Sequence, residues 1–118
     1  QPTGVEALEW TEMPTPSPNA NEVLLKIEAA SLNFPDILIV QNKYQIKPPL
    51  PFVPGAEYAG VVEAIGADVK HLTVGQKVAC LSGTGGFATH VLKTHQVLPT
   101  GLFTLNFQKL IWVLKIEI

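Results

Sequence analysis

Apolar and polar positions alternate most cleanly over Glu22–Ala30, where Val23, Leu25 and Ile27 fall on one side and Lys26 and Glu28 on the other. A period of two is that of a half-buried strand. A second run, Tyr58–Ile65, is closed by Gly66; a third spans Lys77–Leu81, a fourth Phe87–Leu92, and Val97-Leu98 adds a short strand before Pro99. The glycine-rich Ser82–Gly86 reads as a hairpin turn between the third and fourth runs, and Ala67–Leu72 as a loop. Between the first two strands, Pro35 suits the first turn of a helix, where a missing N–H costs nothing. Ile37–Gln41 then reads as a short helical turn, ended by Asn42-Lys43-Tyr44. Two segments resist regular structure: residues 11–22, with prolines 14, 16 and 18 at alternate positions, and Lys47–Gly55 with four prolines. Proline removes ladder donors, so both read as surface connections. Short strands punctuated by turn signals indicate a mainly-β fold, an antiparallel barrel or sandwich.

Length and composition narrow the class. The 118 residues suit one domain, assigned here to residues 1–99 with an apolar tail over 100–118. Apolar residues make up 47% of the chain and charged residues 15%, enough for a core. A net charge of −2 gives no electrostatic reason to expect nucleic acid. The single cysteine, Cys80, excludes an internal disulfide and points to a reducing compartment. The start QPTGVEALEW lacks the basic and apolar regions of a signal peptide, so a cytoplasmic location is expected. The tail GLFTLNFQKLIWVLKIEI is too short and too interrupted for a membrane-spanning helix. A buried strand and an exposed, aggregation-prone segment are its two readings, and the tail is expected either to fold back onto this chain or to pair with a second copy, as in a homodimer.

Few residues offer chemistry, and each has a bland reading beside the functional one. Asn33 is either the cap of the turn starting at Phe34 or a pocket residue. Asp36 suits the first turn of a helix, where an acid is favoured by the helix dipole. Tyr44 is a loop anchor or a ligand contact. Glu57, an acid among apolar neighbours, must find a partner, and a structural hydrogen bond is expected. His71, His90 and His95 make no ligand spacing and read as surface residues; Cys80 reads as a small buried hydrophobe. SGTGGF (Ser82–Phe87) opens no helix and is not expected to bind phosphate. No strand–G-x-G-x-x-G–helix unit occurs in these residues.

Taken in order, VLLKIEAASLNFPD, PFVPGAEYAGVVEAIGADVKHLTVGQKVA and VLKTHQVLP resemble the medium-chain dehydrogenase/reductases. The likeness is to their amino-terminal catalytic domain, a GroES-like antiparallel barrel with one or two short helices, and covers roughly Val5–Pro99. In zinc-dependent members a cysteine follows the first long strand and a histidine follows the glycine of a Gly-His-Glu motif; catalytic zinc takes three protein ligands and an open position. Those two positions hold Asn33 and Ala56 here, and the strand Lys77–Leu81 passes into SGTGG with no four-cysteine lobe. The resemblance therefore implies a zinc-independent branch, the quinone and enone oxidoreductases, in which hydride passes from NADPH to a conjugated carbonyl. By resemblance, Asn33 faces nicotinamide and substrate and offers an amide, Asp36 orients the loop or a polar neighbour, and Tyr44 touches cofactor or substrate. Some bacterial members carry a tyrosine two residues after the aspartate, where this chain has Leu38. The Rossmann-type domain that holds the cofactor is absent from this sequence, so the chain alone is expected to be inactive. The exposed wall around Phe34, Leu38 and Tyr44, covered by that domain in relatives, is expected to be partly apolar. A stand-alone GroES-like binding or interaction module without catalysis is the rival reading.

Overall fold

A computed structural model describes residues 4–94 and the backbone of 97–99. A 3₁₀ turn at Val5–Ala7 precedes strand β1 (Val23–Ser31), helix α1 (Phe34–Val40) and strands β2 (Glu57–Ile65), β3 (Lys77–Leu81), β4 (His90–Lys93) and β5 (Val97–Pro99). The strands form one antiparallel sheet in the order β4-β1-β2-β3-β5. The expected mainly-β fold is thus observed. Residues 100–118, on which the tail reading falls, lie outside the described residues, as does His95.

Alternation along the strands builds the core. Val23, Leu25 and Ile27 of β1 join Tyr58 and Val62 of β2 and Val78 and Cys80 of β3 in one buried cluster, with Phe87, Ala88 and Val91 packed against it. Two register shifts adjust the β1–β2 pair. Leu25 lies opposite Val62, so that Glu63 is skipped, and Ala29 lies opposite Ala59, so that Glu28 is skipped. Each shift is a bulge of one extra residue, which lets a charged side chain stay on the solvent side; Glu28 and Glu63 are both exposed. Ala67–Leu72 is a loop, yet Val69 and Leu72 reach into the core cluster. The proline-rich residues 11–17 are exposed, and Lys47–Gly55 contains no strand or helix, as proline content predicts.

Three readings differ from the structure by more than a residue. Helix α1 begins at Phe34, because Asn33 supplies an extended N-cap and Pro35 sits in the first turn. Strand β4 starts at His90 rather than Phe87. The largest correction concerns Ser82–Gly86, which is not a hairpin turn. Strands β3 and β4 are separated by β2 and β1 in the sheet, so this segment is a crossover. It runs beside the proline loop, with Gly85 N–H donating to Val53 O (2.7 Å), Gly86 N–H to Gly55 O (2.9 Å) and Phe87 N–H to Pro54 O (2.9 Å). Local glycine content signals a turn but carries no information on which strands it joins.

Tyr58 closes the core under this crossover. Its Oη lies 3.0 Å from Ser82 Oγ, whose hydroxyl donates to Thr84 O at 2.8 Å. Burial raises the phenol well above the ordinary tyrosine range, with Cys80 adding to the rise and the Ser82 contact opposing it. The folded state therefore keeps the proton after the unfolded chain has begun to lose it near pH ~10. Stability from this group is full below that pH and falls as pH rises above it, by up to about 1.4 kcal/mol per pH unit. Urea unfolding from pH 9 to 11 should show this decline, and Tyr58→Phe should flatten it. An equal slope in the variant would refute the assignment.

Candidate functional site

The ends of three strands set the floor of a cleft. Register pairs Ser31 of β1 with Glu57 of β2, and Glu57 with Leu81 of β3, so these residues form one row across the sheet. Asn33 follows Ser31 directly as the N-cap of α1. The cleft, about 350 Å³, is lined by Asn33, Pro35, Ile39, Tyr44, Ile46, Ala56, Glu57, Leu81 and Gly83.

Its polar wall is a closed triangle. Ser31 Oγ–H donates to Glu57 Oε2 at 2.7 Å, and Asn33 Nδ2 donates both to Ser31 Oγ at 2.9 Å and to Glu57 Oε2 at 3.1 Å. The partner that burial demands of Glu57 is thus supplied by two neighbouring side chains, as a structural hydrogen bond requires.

Asp36 lies behind this wall. It is 2% exposed, and its two oxygens serve two backbone donors: Oδ2 accepts Asn33 N–H (2.8 Å) and Oδ1 accepts Ala56 N–H (3.1 Å). The first bond is half of a capping box and holds the start of α1. The second crosses to the Pro54-Gly55-Ala56-Glu57 turn. One buried side chain therefore fixes the two backbone segments that carry Asn33 and Glu57.

The structure thus brings Asn33 and Tyr44 to one cleft and leaves Asp36 buried beside it. Asn33 occupies both positions considered for it, cap and cleft wall. Ala56, in the expected histidine position, lines the same cleft. Phe34 is exposed, while Leu38 and Tyr44 are half-buried; Ile46 and Leu81, on the cleft rim, are 52% and 62% exposed. Of the histidines, His71 is exposed and His90 pairs with Glu63 at 2.9 Å on the outer side of the sheet. Ser31 escaped the sequence reading. A signal existed: setting the end of β1 against the start of β2 places it opposite Glu57.

Among the described residues there is no cluster of three or more His, Cys, Asp or Glu side chains that could hold a metal ion. Nor is any helix long and apolar enough to cross a membrane. What the cleft does present is an apolar floor with one carboxylate, one amide and one phenol.

Known proteins share this arrangement of sequence and fold. The alcohol dehydrogenase GroES-like domain family matches residues 19–102. A quinone oxidoreductase of Mus musculus is 32% identical over 108 residues, 90% of this chain and 33% of its own length. A zinc-type alcohol dehydrogenase-like protein of Schizosaccharomyces pombe is 40% identical over 96 residues, 75% of this chain and 28% of its own. Among solved structures, Escherichia coli quinone oxidoreductase complexed with NADPH superposes with a TM-score of 0.71 at 29% identity, covering 81% of this chain and 30% of that one. The chain spans about a third of the length of these relatives. With the barrel-type sheet, the ordered motifs and the family match in agreement, the chain belongs to the alcohol dehydrogenase GroES-like domain family, the amino-terminal part of medium-chain dehydrogenase/reductase oxidoreductases.

Proposed function

We propose that this chain is the substrate-side domain of a zinc-independent, NADPH-dependent oxidoreductase that reduces a conjugated carbonyl such as a quinone or enone. The observation that carries the reading is the composition of the cleft wall. Asn33 and Ala56 stand where zinc-dependent relatives place two ligands, and Glu57 is already engaged by Ser31 and Asn33. An amide and a methyl group make a poor zinc site, which takes thiolate, imidazole or carboxylate donors.

The cleft suits the nicotinamide end of the cofactor. Pro35, Ile39, Ile46 and Leu81 offer apolar surface to a flat ring, and Asn33, Glu57 and Tyr44 offer polar groups to a carboxamide. When bound, NADPH supplies the hydride. The chain's own residues exclude water and set orientation. Reduction of a carbonyl leaves negative charge on its oxygen, which a positioned donor stabilises. Tyr44 is the cleft's phenol donor for that role. Asp36, sealed against two backbone N–H groups, is a positioning residue that holds Asn33 and the Ala56–Glu57 turn in place.

The test uses the full-length gene product. Quinone-dependent NADPH consumption is expected, and it should survive prolonged treatment with a zinc chelator. Tyr44→Phe should lower kcat/KM by roughly 10- to 100-fold, the loss of a donor to developing charge. Alcohol oxidation that stops on chelation, together with about one tightly held zinc per chain, would replace this reading with a zinc enzyme. A folded full-length protein with neither activity would favour the non-catalytic binding module.

A further inference from the structure

The apolar surface of the cleft continues outward past its floor. Ile39, within the cleft, is 3% exposed, whereas Ile46 and Leu81 at the mouth are 52% and 62% exposed. A methyl built on Gly83, just beyond Leu81 in the chain, would stand 3.9 Å from Ile46 Cδ1. The loop that carries Ile46 therefore adjoins the end of β3, and both edges line the same cleft. Register sets Leu81 directly opposite Glu57. Side chains paired in this way share a face of the sheet, with Cβ atoms about 4.5–5.5 Å apart. The apolar rim thus begins one cross-strand step from the carboxylate of the polar wall. Among the described residues that line the cleft, Glu57 alone is charged, and Ser31 and Asn33 engage it. A single exposed leucine is ordinary on a protein surface. Two large apolar side chains at the mouth of a cleft with an apolar floor extend that floor toward solvent.

From this continuity we infer that Ile46 and Leu81 are specificity-determining residues, an apolar rim that selects conjugated carbonyls carrying a short alkyl substituent on the side of the ring away from the oxygen. The inference rests on the reading of the cleft proposed above and names a substrate class within it. A ring set with its oxygen toward the polar wall carries its far substituent along Leu81 and Ile46. Each methylene that leaves water there adds to affinity. A substituent of equal length ending in a hydroxyl gains less, because an isoleucine and a leucine give the desolvated hydroxyl no partner. Both rim residues are more than half exposed, so changing them leaves the buried core intact and the fold in place.

Aryl ketones of graded substituent test this on the ¹⁵N-labelled chain by amide chemical-shift titration. 4′-Methylacetophenone is compared with 4′-butylacetophenone, and the butyl compound with 4′-(3-hydroxypropyl)acetophenone, which has the same number of heavy atoms. At about twofold per half-buried methylene, the butyl probe should bind about eightfold more tightly than the methyl probe. It should also bind more tightly than the hydroxypropyl probe, with shifts at the backbone N–H groups of Ile46 and Leu81. The double variant Ile46→Ser, Leu81→Ser should bring the butyl-to-methyl ratio to within about twofold, and Leu81→Met should keep it high. Phe34→Ser is the control. Phe34 is 71% exposed and does not line the cleft, so the ratio should not change. A flat series, a ratio that survives the double variant, or an equal loss in Phe34→Ser overturns the proposal. So does equal binding of the butyl and hydroxypropyl probes. In the full-length protein, kcat/KM for 2-butyl- over 2-methyl-1,4-benzoquinone should fall in Leu81→Ser. An active enzyme whose ratio ignores that change would show the rim covered by the rest of the protein, and would also overturn the proposal. A full-length protein that reduces no quinone ends the reaction assignment, and the probe ratios then decide the rim on their own.

Discussion

Gly55→Ala is expected to destabilise the fold by about 3 kcal/mol or more, from two independent causes. Gly55 has φ +107°, a region that residues with a Cβ rarely adopt, and holding one there costs of order 1–3 kcal/mol. A methyl at this position would also come within 2.8 Å of Phe87 N and 2.9 Å of Gly86 Cα. Both are backbone atoms tied to the same loop by the Gly86–Gly55 and Phe87–Pro54 hydrogen bonds, so they cannot swing aside as a side-chain tip would. Overpacking of this kind adds roughly 1–3 kcal/mol. Gly75→Ala is the control: φ is +89°, but nothing lies within 4 Å of the added carbon. It carries the strain without the clash, and its cost should be smaller by about the overpacking amount. Urea midpoints for both variants make the comparison, and equal losses would show that the crossover can move away from Gly55.

The same crossover marks where the sequence was least legible. Strands β1, β2 and β3 were found within a residue of their ends because Val23, Leu25 and Ile27, then Tyr58 and Val62, then Val78 and Cys80 follow the strand period and bury one side. The proline-rich Lys47–Gly55 was equally plain. Ser82–Gly86 misled because glycines state that the chain bends, not that the flanking strands pair. Sheet order is a non-local property, and β4 sits beside β1, more than 60 positions away in sequence, through pairs such as Leu25 with Val91.

The site divides in the same way. Asn33, Asp36 and Glu57 stood out because polar residues at the margins of apolar runs need partners. The identity of those partners was hidden, since Asn33 meets Glu57 across 24 positions and Ala56 meets Asp36 across 20. Ser31 carried no such flag. A serine at a strand end is unremarkable until register places a carboxylate opposite it.

Asp36→Ala is expected to cost roughly 3–5 kcal/mol and to loosen the cleft before it touches any chemistry. The carboxylate is 2% exposed and serves Asn33 N–H and Ala56 N–H. Its removal leaves two backbone donors without their acceptor, at about 1–3 kcal/mol each. That is a large share of the 5–15 kcal/mol typical of a whole domain. Asp36→Asn keeps one acceptor oxygen but turns an amide N–H₂ toward the other donor, so it should recover only part of the loss. The ordering wild type, Asn, Ala in urea midpoint is the expected result. It should be accompanied by shifts of the Asn33 and Ala56 backbone amides, the two groups released. A loss under about 1 kcal/mol for Asp36→Ala would show that solvent replaces the carboxylate and that the α1–turn bridge is dispensable. A catalytic carboxylate predicts the opposite pattern in the full-length protein: activity lost in Asp36→Asn with stability unchanged. Because both oxygens of Asp36 face backbone donors and not the cleft's ligand-facing groups, stability should fall first and activity should follow it.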